Sequence, residues 1–372
     1  MSTNYLNYAK RAREPKTKEI GNCYEDGATY YGVLVLLLAC ALTAEVRPQK
    51  LQFHPDGTFT ILQLTDLHYG EADDLDKNTT NLMRRLISAE RPDFLAFTGD
   101  MVAGYSWDKK PGWYKKMWDR WTEVIFDTRI PYGYTLGNHD SEADLKRREI
   151  VEVDMKSPYS FTQLAPEDLP GASTFVIPVY SSKNSDEVVM NLWFFDSEDY
   201  NCLGVKGYGC VDVPTVAWYR EMSETLEEEQ GGKKPGVAFM HIPPQEYMYA
   251  YDHYVGVGNK TEGSGCSSIN TGLIAAFKER GDVKAMFAGH DHSNDFVIDF
   301  EGILLGYGRK TGYGCYGPPP GMQRGGRVLK FTESDFTMKS WIIQEDLTRD
   351  FQKPEDVHYT PQDVCNGSKP PK

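Results

Sequence analysis

The sequence is short of positive charge and of cysteine. Forty Lys and Arg against fifty-four Asp and Glu give a formal charge of -14, which opposes sequence-independent attraction to a nucleic-acid backbone, so no nucleic-acid partner is expected. A small anionic substrate would need its positive charge supplied locally. Seven cysteines in 372 residues are too few for a disulfide-dense miniature scaffold, and a chain of this length can bury a core without staples. Also missing are a solenoid-scale repeat, a low-complexity tract and a composition break in the middle of the chain, which leaves one large domain as the simplest organisation. Hydrophobic residues at 40% and charged residues at 25% give no sign of disorder or of a polytopic membrane protein.

One segment stands apart. Residues 27–44 carry no charge, contain the apolar run 33–39 and come after Lys10, Arg11, Arg13, Lys16 and Lys18, the charge order of a secretory signal or signal anchor. Residues 1–44 are expected to be a targeting segment, 46–347 the folded domain and 348–372 a polar, proline-bearing tail. Either form of leader puts the domain outside the cytosol: secreted, vacuolar, or membrane-anchored with an extracytoplasmic domain, with membrane contact only if the leader is retained. Sequons at Asn78, Asn259 and Asn366 agree with that compartment. Beyond the leader, Cys202 and Cys210 flank a Gly-rich loop and are the expected disulfide, against the alternative of small buried thiols.

After the leader a pattern recurs: a short apolar, β-branched or aromatic run breaks off into a polar turn. The runs 58–64, 94–98, 132–136, 237–240 and 283–288 read as buried strands, with further strands at 173–180 and 188–195. Helix-like stretches at 78–90, 113–126, 142–153, 213–229 and 269–280 lie between them, which makes the class α/β. From Asp295 onward the texture becomes hairpin-like, with strand candidates at 296–300, 302–305, 327–331 and 336–343.

Each of the first five runs ends in residues that carry chemistry. They lead in turn into Asp66-Leu67-His68, Gly99-Asp100, Gly137-Asn138-His139-Asp140, His241 and Gly289-His290-Asp291-His292. Open α/β sheets bind ligands at these carboxyl ends. Hard oxygen donors with imidazoles and no thiolate suit iron, zinc or manganese better than a structural zinc knot. Asp66, His68, Asp100 and His292 would make one site, and Asp100, Asn138, His241 and His290 the other. A shared Asp100 would hold two ions roughly 3.5 to 4 Å apart, close enough to clamp one phosphate and polarise a water between them.

This constellation resembles the calcineurin-like metallophosphoesterases, and its motifs span Asp66 to His292 in order. The resemblance implies a four-layer α-β-β-α sandwich, two sheets face to face with helices outside. Residues 192–197, 234–244 and 307–314 look like the purple-acid-phosphatase-like branch. One departure stands out: where purple acid phosphatases carry Gly-Asp-x-x-Tyr, this chain has Ala103, with Tyr105 two places late. His68 is expected to replace that tyrosine, giving a colourless but active enzyme.

The implied reaction is hydrolysis of a small-molecule or protein phosphate monoester by a metal-bridging hydroxide. The family's motif assigns His139 as the acid for the leaving group, oriented by Asp140, with Asn138 and His139 also touching substrate. Arg309 could contact the phosphate as well, although an exposed cation pair with Lys310 is more often a solvated face. His54, His253 and His358 lack motif context and read as structural or surface residues. Trp107, Trp113, Trp118, Trp121 and Tyr105 read as helix packing rather than the wall of a cleft. Two rivals share the residues: a phosphodiesterase or pyrophosphatase with the same centre, and a catalytically silent protein that binds phosphorylated ligands.

Overall fold

A computed structural model of the protein describes residues 50–353. The expected leader, Asn366, Cys365, His358 and most of the expected tail lie outside them. In chain order the strands are β1 (Thr58–Leu64), β2 (Phe94–Thr98), β3 (Tyr132–Thr135), β4 (Phe175–Tyr180), β5 (Val188–Phe194), β6 (Gly236–Phe239) and β7 (Gly256–Val257). They continue with β8 (Val283–Ala288), β9 (Val297–Phe300), β10 (Ile303–Tyr307), β11 (Gly325–Thr332), β12 (Thr337–Gln344) and β13 (Arg349–Asp350). The α-helices are α1 (Asp73–Glu90), α2 (Trp113–Thr128), α3 (Arg147–Asp154), α4 (Val213–Glu229), α5 (Glu246–His253) and α6 (Leu273–Arg280).

Two sheets result, one six-stranded in the order β13-β12-β11-β1-β2-β3 and one seven-stranded in the order β4-β5-β6-β8-β10-β9-β7. β1, β2 and β3 run parallel in the first, and β5, β6, β8 and β10 in the second. The carboxyl ends of the motif-bearing strands therefore gather along one edge of each sheet.

Side-chain alternation sorts the layers, because successive residues of a strand face opposite sides. Phe59 and Ile61 of β1 and Phe94 and Ala96 of β2 enter a core shared with Leu192, Phe194, Phe239 and Phe287 of the other sheet. Their neighbours Leu62, Leu64, Leu95 and Phe97 face away, onto α1 and α2 through Leu82, Met83, Trp121 and Ile125. On the second sheet, Trp193, Ala238 and Met286 cover α4 and α6 through Tyr219, Ile274 and Phe277. The order helix, sheet, sheet, helix is the α/β sandwich expected.

Local chemistry moves some boundaries. α1 starts at Asp73, ahead of the expected residue 78, and its first turn holds Asp73, Asp74 and Asp76, anions that favour the positive end of a helix dipole. α3 starts at Arg147, behind the expected residue 142, because the preceding acids are engaged elsewhere. Asp144 accepts from Gly112 N and Tyr114 N at the start of α2, and Glu142 is bound to His139. Pairing continues past Leu347 into β13, which runs along β12. Trp113, Trp118 and Trp121 lie in the outer core of the first sheet, as packing residues. No helix among the described residues is long and apolar enough to cross a membrane.

Candidate metal centre

The strands deliver their polar residues through strained turns. Asp66, His68, Asp100 and His290 all have φ between 50° and 78°, a left-handed conformation that costs a side-chain-bearing residue energy and is most accessible to Asn, Asp and His. Glycine is required beside them. A Cβ at Gly99, whose φ is 86°, would lie 2.5 Å from His241 Nδ1, and one at Gly137 would lie 2.2 Å from Asp100 Oδ1. The Gly-Asp and Gly-Asn-His motifs are thus statements about close approach between loops.

Six of the seven expected ligands are buried, and their donor atoms converge. His241 Nε2 lies 3.1 Å from Asp100 Oδ2 and 3.1 Å from Asn138 Oδ1. His68 Nε2 lies 3.8 Å from Asp100 Oδ2 and 3.2 Å from His292 Nε2. Asp66 Oδ1 lies 3.3 Å from His292 Nε2. His290 joins Asp100 and His241 in a cluster whose potential ligand atoms all lie within 4.8 Å of one another. Asp100 belongs to both halves.

Tautomers are set by the outer partners. His241 Nδ1 faces Thr98 O at 2.8 Å and His292 Nδ1 faces Tyr316 O at 2.9 Å. A carbonyl can only accept, so Nδ1 carries the proton and, in the neutral ring, Nε2 presents a lone pair inward. Asp66 Oδ1 is buried without a hydrogen-bond partner, because Thr65 Oγ1 and His290 N both donate to Oδ2. Inward lone pairs and an orphaned carboxylate oxygen at these distances fit cations. Burial opposes charge on Asp100, yet His241, which that carboxylate lifts to about 9 against its own burial, holds the carboxyl well below the ordinary range as an imidazolium. Burial, joined by the neighbouring His241, lowers His290 to about 3, so its ring is a neutral donor.

Two expectations are corrected. Asp140 does not orient His139: its carboxylate accepts from Gly137 N at 2.7 Å, Asp100 N at 3.0 Å, Met101 N at 2.9 Å and Val102 N at 3.2 Å. It is the knot that ties the Asp100 turn to the Asn138 turn. Glu142 takes the orienting place, with Oε2 2.7 Å from His139 Nδ1. Burial works against charge on His139, but that hydrogen bond and the Asp100 carboxylate lift it to about 9. Arg309 is no substrate contact either. It is 1% exposed, its guanidinium is paired with Asp295, and Nη1 donates to Gln323 O at 2.5 Å. A buried arginine turned onto a carboxylate and a carbonyl is not presented to an incoming anion. Lys310 lies behind the centre, its Nζ donating to Asp66 O at 3.1 Å.

Several residues at the site carried no motif. Tyr200 Oη accepts from Asn138 Nδ2 at 3.1 Å, turning Asn138 Oδ1 inward. Tyr208 lies edge-on to His290 with ring centroids 4.3 Å apart, and Cys202 and Cys210 form the expected disulfide. Tyr105, read as helix packing, instead lies edge-on to His139 at 4.9 Å, with its hydroxyl on Glu71 at 2.5 Å. Cys315 Sγ can join His68 and His292 as a donor. Tyr200-Asn201-Cys202 and Tyr208-Gly209-Cys210 repeat one small pattern, the single signal that could have placed two of these. Behind the centre, Arg147 donates to Gly137 O at 2.8 Å and pairs with Asp196, whose Oδ2 also accepts from Ala172 N at 2.6 Å.

Comparison with known proteins agrees with this geometry. A family model described as calcineurin-like phosphoesterase matches residues 59–294. In Arabidopsis thaliana, a protein named probable inactive purple acid phosphatase 29 is 32% identical over 331 residues, covering 81% of this chain and 84% of its own length. Another, probable inactive purple acid phosphatase 28, is 33% identical, covering 75% of this chain and 77% of its own. Phosphatase DCR2 of Saccharomyces cerevisiae is 27% identical over 79% of this chain and 55% of its own. Among solved structures, a dimetal phosphatase from Danio rerio shares the fold at a TM-score of 0.53 and 13% identity, covering 80% of this chain and 98% of that one.

Proposed function

We propose, for a chain that belongs to the calcineurin-like phosphoesterase family, that it is an active, metal-dependent phosphomonoesterase of the purple-acid-phosphatase-like type. The observation that carries the reading is Asp100, whose Oδ2 lies 3.1 Å from His241 Nε2 and 3.8 Å from His68 Nε2. One carboxylate thus serves two donor clusters. Asp66, His68, Asp100 and His292 would hold one ion, and Asp100, Asn138, His241 and His290 the other, with iron, zinc or manganese matching the oxygen and imidazole donors. When bound, two such ions supply Lewis acidity toward phosphate oxygens and a nucleophile from water near neutral pH.

The chain's own residues do the rest. His139, a quarter exposed on its side chain, holds a proton for the departing alcohol oxygen, and Glu142 fixes the ring and favours its charged form. Tyr200 orients Asn138, and Asp140 fixes the two turns against each other. The word inactive belongs to the names of the Arabidopsis relatives. Here His68 stands 3.2 Å from His292 Nε2 and supplies the donor that Ala103 cannot, which supports activity.

Metal analysis of the loaded full chain, coupled to phosphate release from an aryl phosphate and from its bis-aryl diester, tests this reading. We expect about two ions per chain and release from the monoester, with Asp100→Asn losing both ions together. Cleavage of the diester alone would defeat the monoesterase reading, and bound metal with no turnover of either ester would leave a silent ligand-binding protein. The charge order expected of a leader in residues 1–44 and the Cys202–Cys210 disulfide support delivery to the secretory pathway, since disulfides persist in oxidising compartments. N-terminal sequencing that found residues 1–44 intact on a soluble cytosolic protein would remove that assignment.

A further inference from the structure

Tyrosines surround the mouth of the centre, each in contact with a residue already placed in it. Tyr105 lies edge-on to His139 at 4.9 Å. Tyr316 stacks on His292 at 4.2 Å and 28°. Tyr208 lies edge-on to His290 at 4.3 Å, and Tyr200 stacks beside Tyr208 at 6.2 Å and 25° while accepting from Asn138. They come from different segments: a turn after β2, the disulfide-closed loop after β5, and the connection between β10 and β11. Packing alone does not account for them, since Tyr105, Tyr200 and Tyr316 remain 45%, 40% and 53% exposed.

Three of the hydroxyls are tied down. Tyr105 donates to Glu71 at 2.5 Å, Tyr316 to Glu262 at 3.0 Å and Tyr200 to Glu142 at 3.3 Å. Glu71 also holds Cys315 N at 2.7 Å, next to Tyr316. The disulfide joins the residues two places after Tyr200 and Tyr208, and those tyrosines are themselves bridged. Rings fixed at their hydroxyls or, for Tyr208, by the bridged and disulfide-closed backbone lose little entropy on binding and offer their faces. The Glu71 and Glu262 carboxylates at the outer ends of Tyr105 and Tyr316 disfavour a second anion there.

The geometry points to a stacking subsite formed by Tyr105, Tyr200, Tyr208 and Tyr316, which selects phosphate monoesters whose alcohol carries a flat, uncharged aromatic ring, such as a nucleoside monophosphate. The inference rests on the monoesterase reading above. Adenosine 5′-monophosphate and ribose 5-phosphate test it, because both release a ribose 5′-hydroxyl and differ in the base alone. Stacking of one base is worth about 1–3 kcal/mol, so kcat/KM should favour the nucleotide by about 5- to 150-fold, chiefly through KM. Tyr316→Leu should bring that ratio toward one, and Tyr316→Phe should keep it. A ratio near one in the unaltered protein overturns the subsite while leaving hydrolysis standing. With neither ester hydrolysed, the monoesterase reading fails, and calorimetric titration of the metal-loaded protein decides the subsite separately. At least fivefold tighter binding of the nucleotide sustains it, and equal affinity overturns it.

Discussion

The floor and the rim of the site are held by different means. On the floor, Asp66, His68, Asp100, Asn138, His241 and His292 are each at most 3% exposed, and backbone fixes them through left-handed turns, close-approach glycines and the four N–H groups on Asp140. On the rim, Tyr105, Tyr200 and Tyr316 are at least 40% exposed and are fixed by one or two hydrogen bonds between side chains. Damage to the floor should therefore cost structure and chemistry together, whereas damage to the rim should cost discrimination.

The largest effect is expected where floor and rim meet. His139→Ala should lower kcat by about 10²–10⁴-fold, the range for losing a general acid, with metal content retained. Glu142→Gln should lose a part of that, about tenfold, because the ring keeps a partner at Nδ1 but not a charged one. If Asp140→Asn matched the His139 loss at full stability while Glu142→Gln were silent, the orienting role would return to Asp140. Asp140→Ala should instead lower stability by about 3 kcal/mol or more, since several buried N–H groups lose their acceptor together. A shift in the urea midpoint measures it, and an unchanged midpoint would contradict the knot.

A smaller effect is expected at the rim. Replacing Cys202 and Cys210 by serine opens the loop that carries Tyr208, with at most about 2.5 kcal/mol at stake for so short a loop. The rate with ribose 5-phosphate should change less than the KM for the nucleotide. Equal changes in both would mean that the loop supports the floor and not the rim.

The same contrast explains what the sequence disclosed. Floor residues could be read because a sharp turn at a strand end admits few residue types, so Gly99-Asp100 and Gly137-Asn138-His139-Asp140 carry their geometry in their spelling. The strands were legible for the related reason that two-sided burial leaves nearly continuous apolar runs such as 94–98 and 285–288. Rim residues depend on pairings between distant segments. Tyr200 meets Asn138 across 62 positions, and Cys315 meets Glu71 across 244. Nothing local marks either pairing, although the Tyr-x-Cys repeat marks the loop that carries Tyr200. Adjacency misled at Asp140, which comes directly after His139 in the chain but points into the backbone, while Glu142 comes back to the ring after one turn. Arg309 misled because burial is invisible in a motif, and α5 was missed because Tyr247 and Ala250 are its only buried residues, too faint a stripe to read.

The pair behind the floor gives the smallest and most specific test. Burial opposes charge on Asp196, but the Arg147 guanidinium outweighs it and holds the carboxyl below its ordinary value of 3.8. A carboxyl lowered on folding contributes stability that is complete above the unfolded value and is lost as pH falls through the folded one, so this contribution should drain away below about pH 4. Asp196→Asn removes one such titration, and the acid limb of a stability-against-pH curve should flatten by at most about 1.4 kcal/mol per pH unit. At neutral pH the same variant should be less stable, because Arg147 keeps its charge and its bond to Gly137 O but loses its counterion. Parallel acid limbs for variant and parent would show that neither Arg147 nor the backbone donors of Ala172, Ser173 and Glu198 hold Asp196 below its ordinary value.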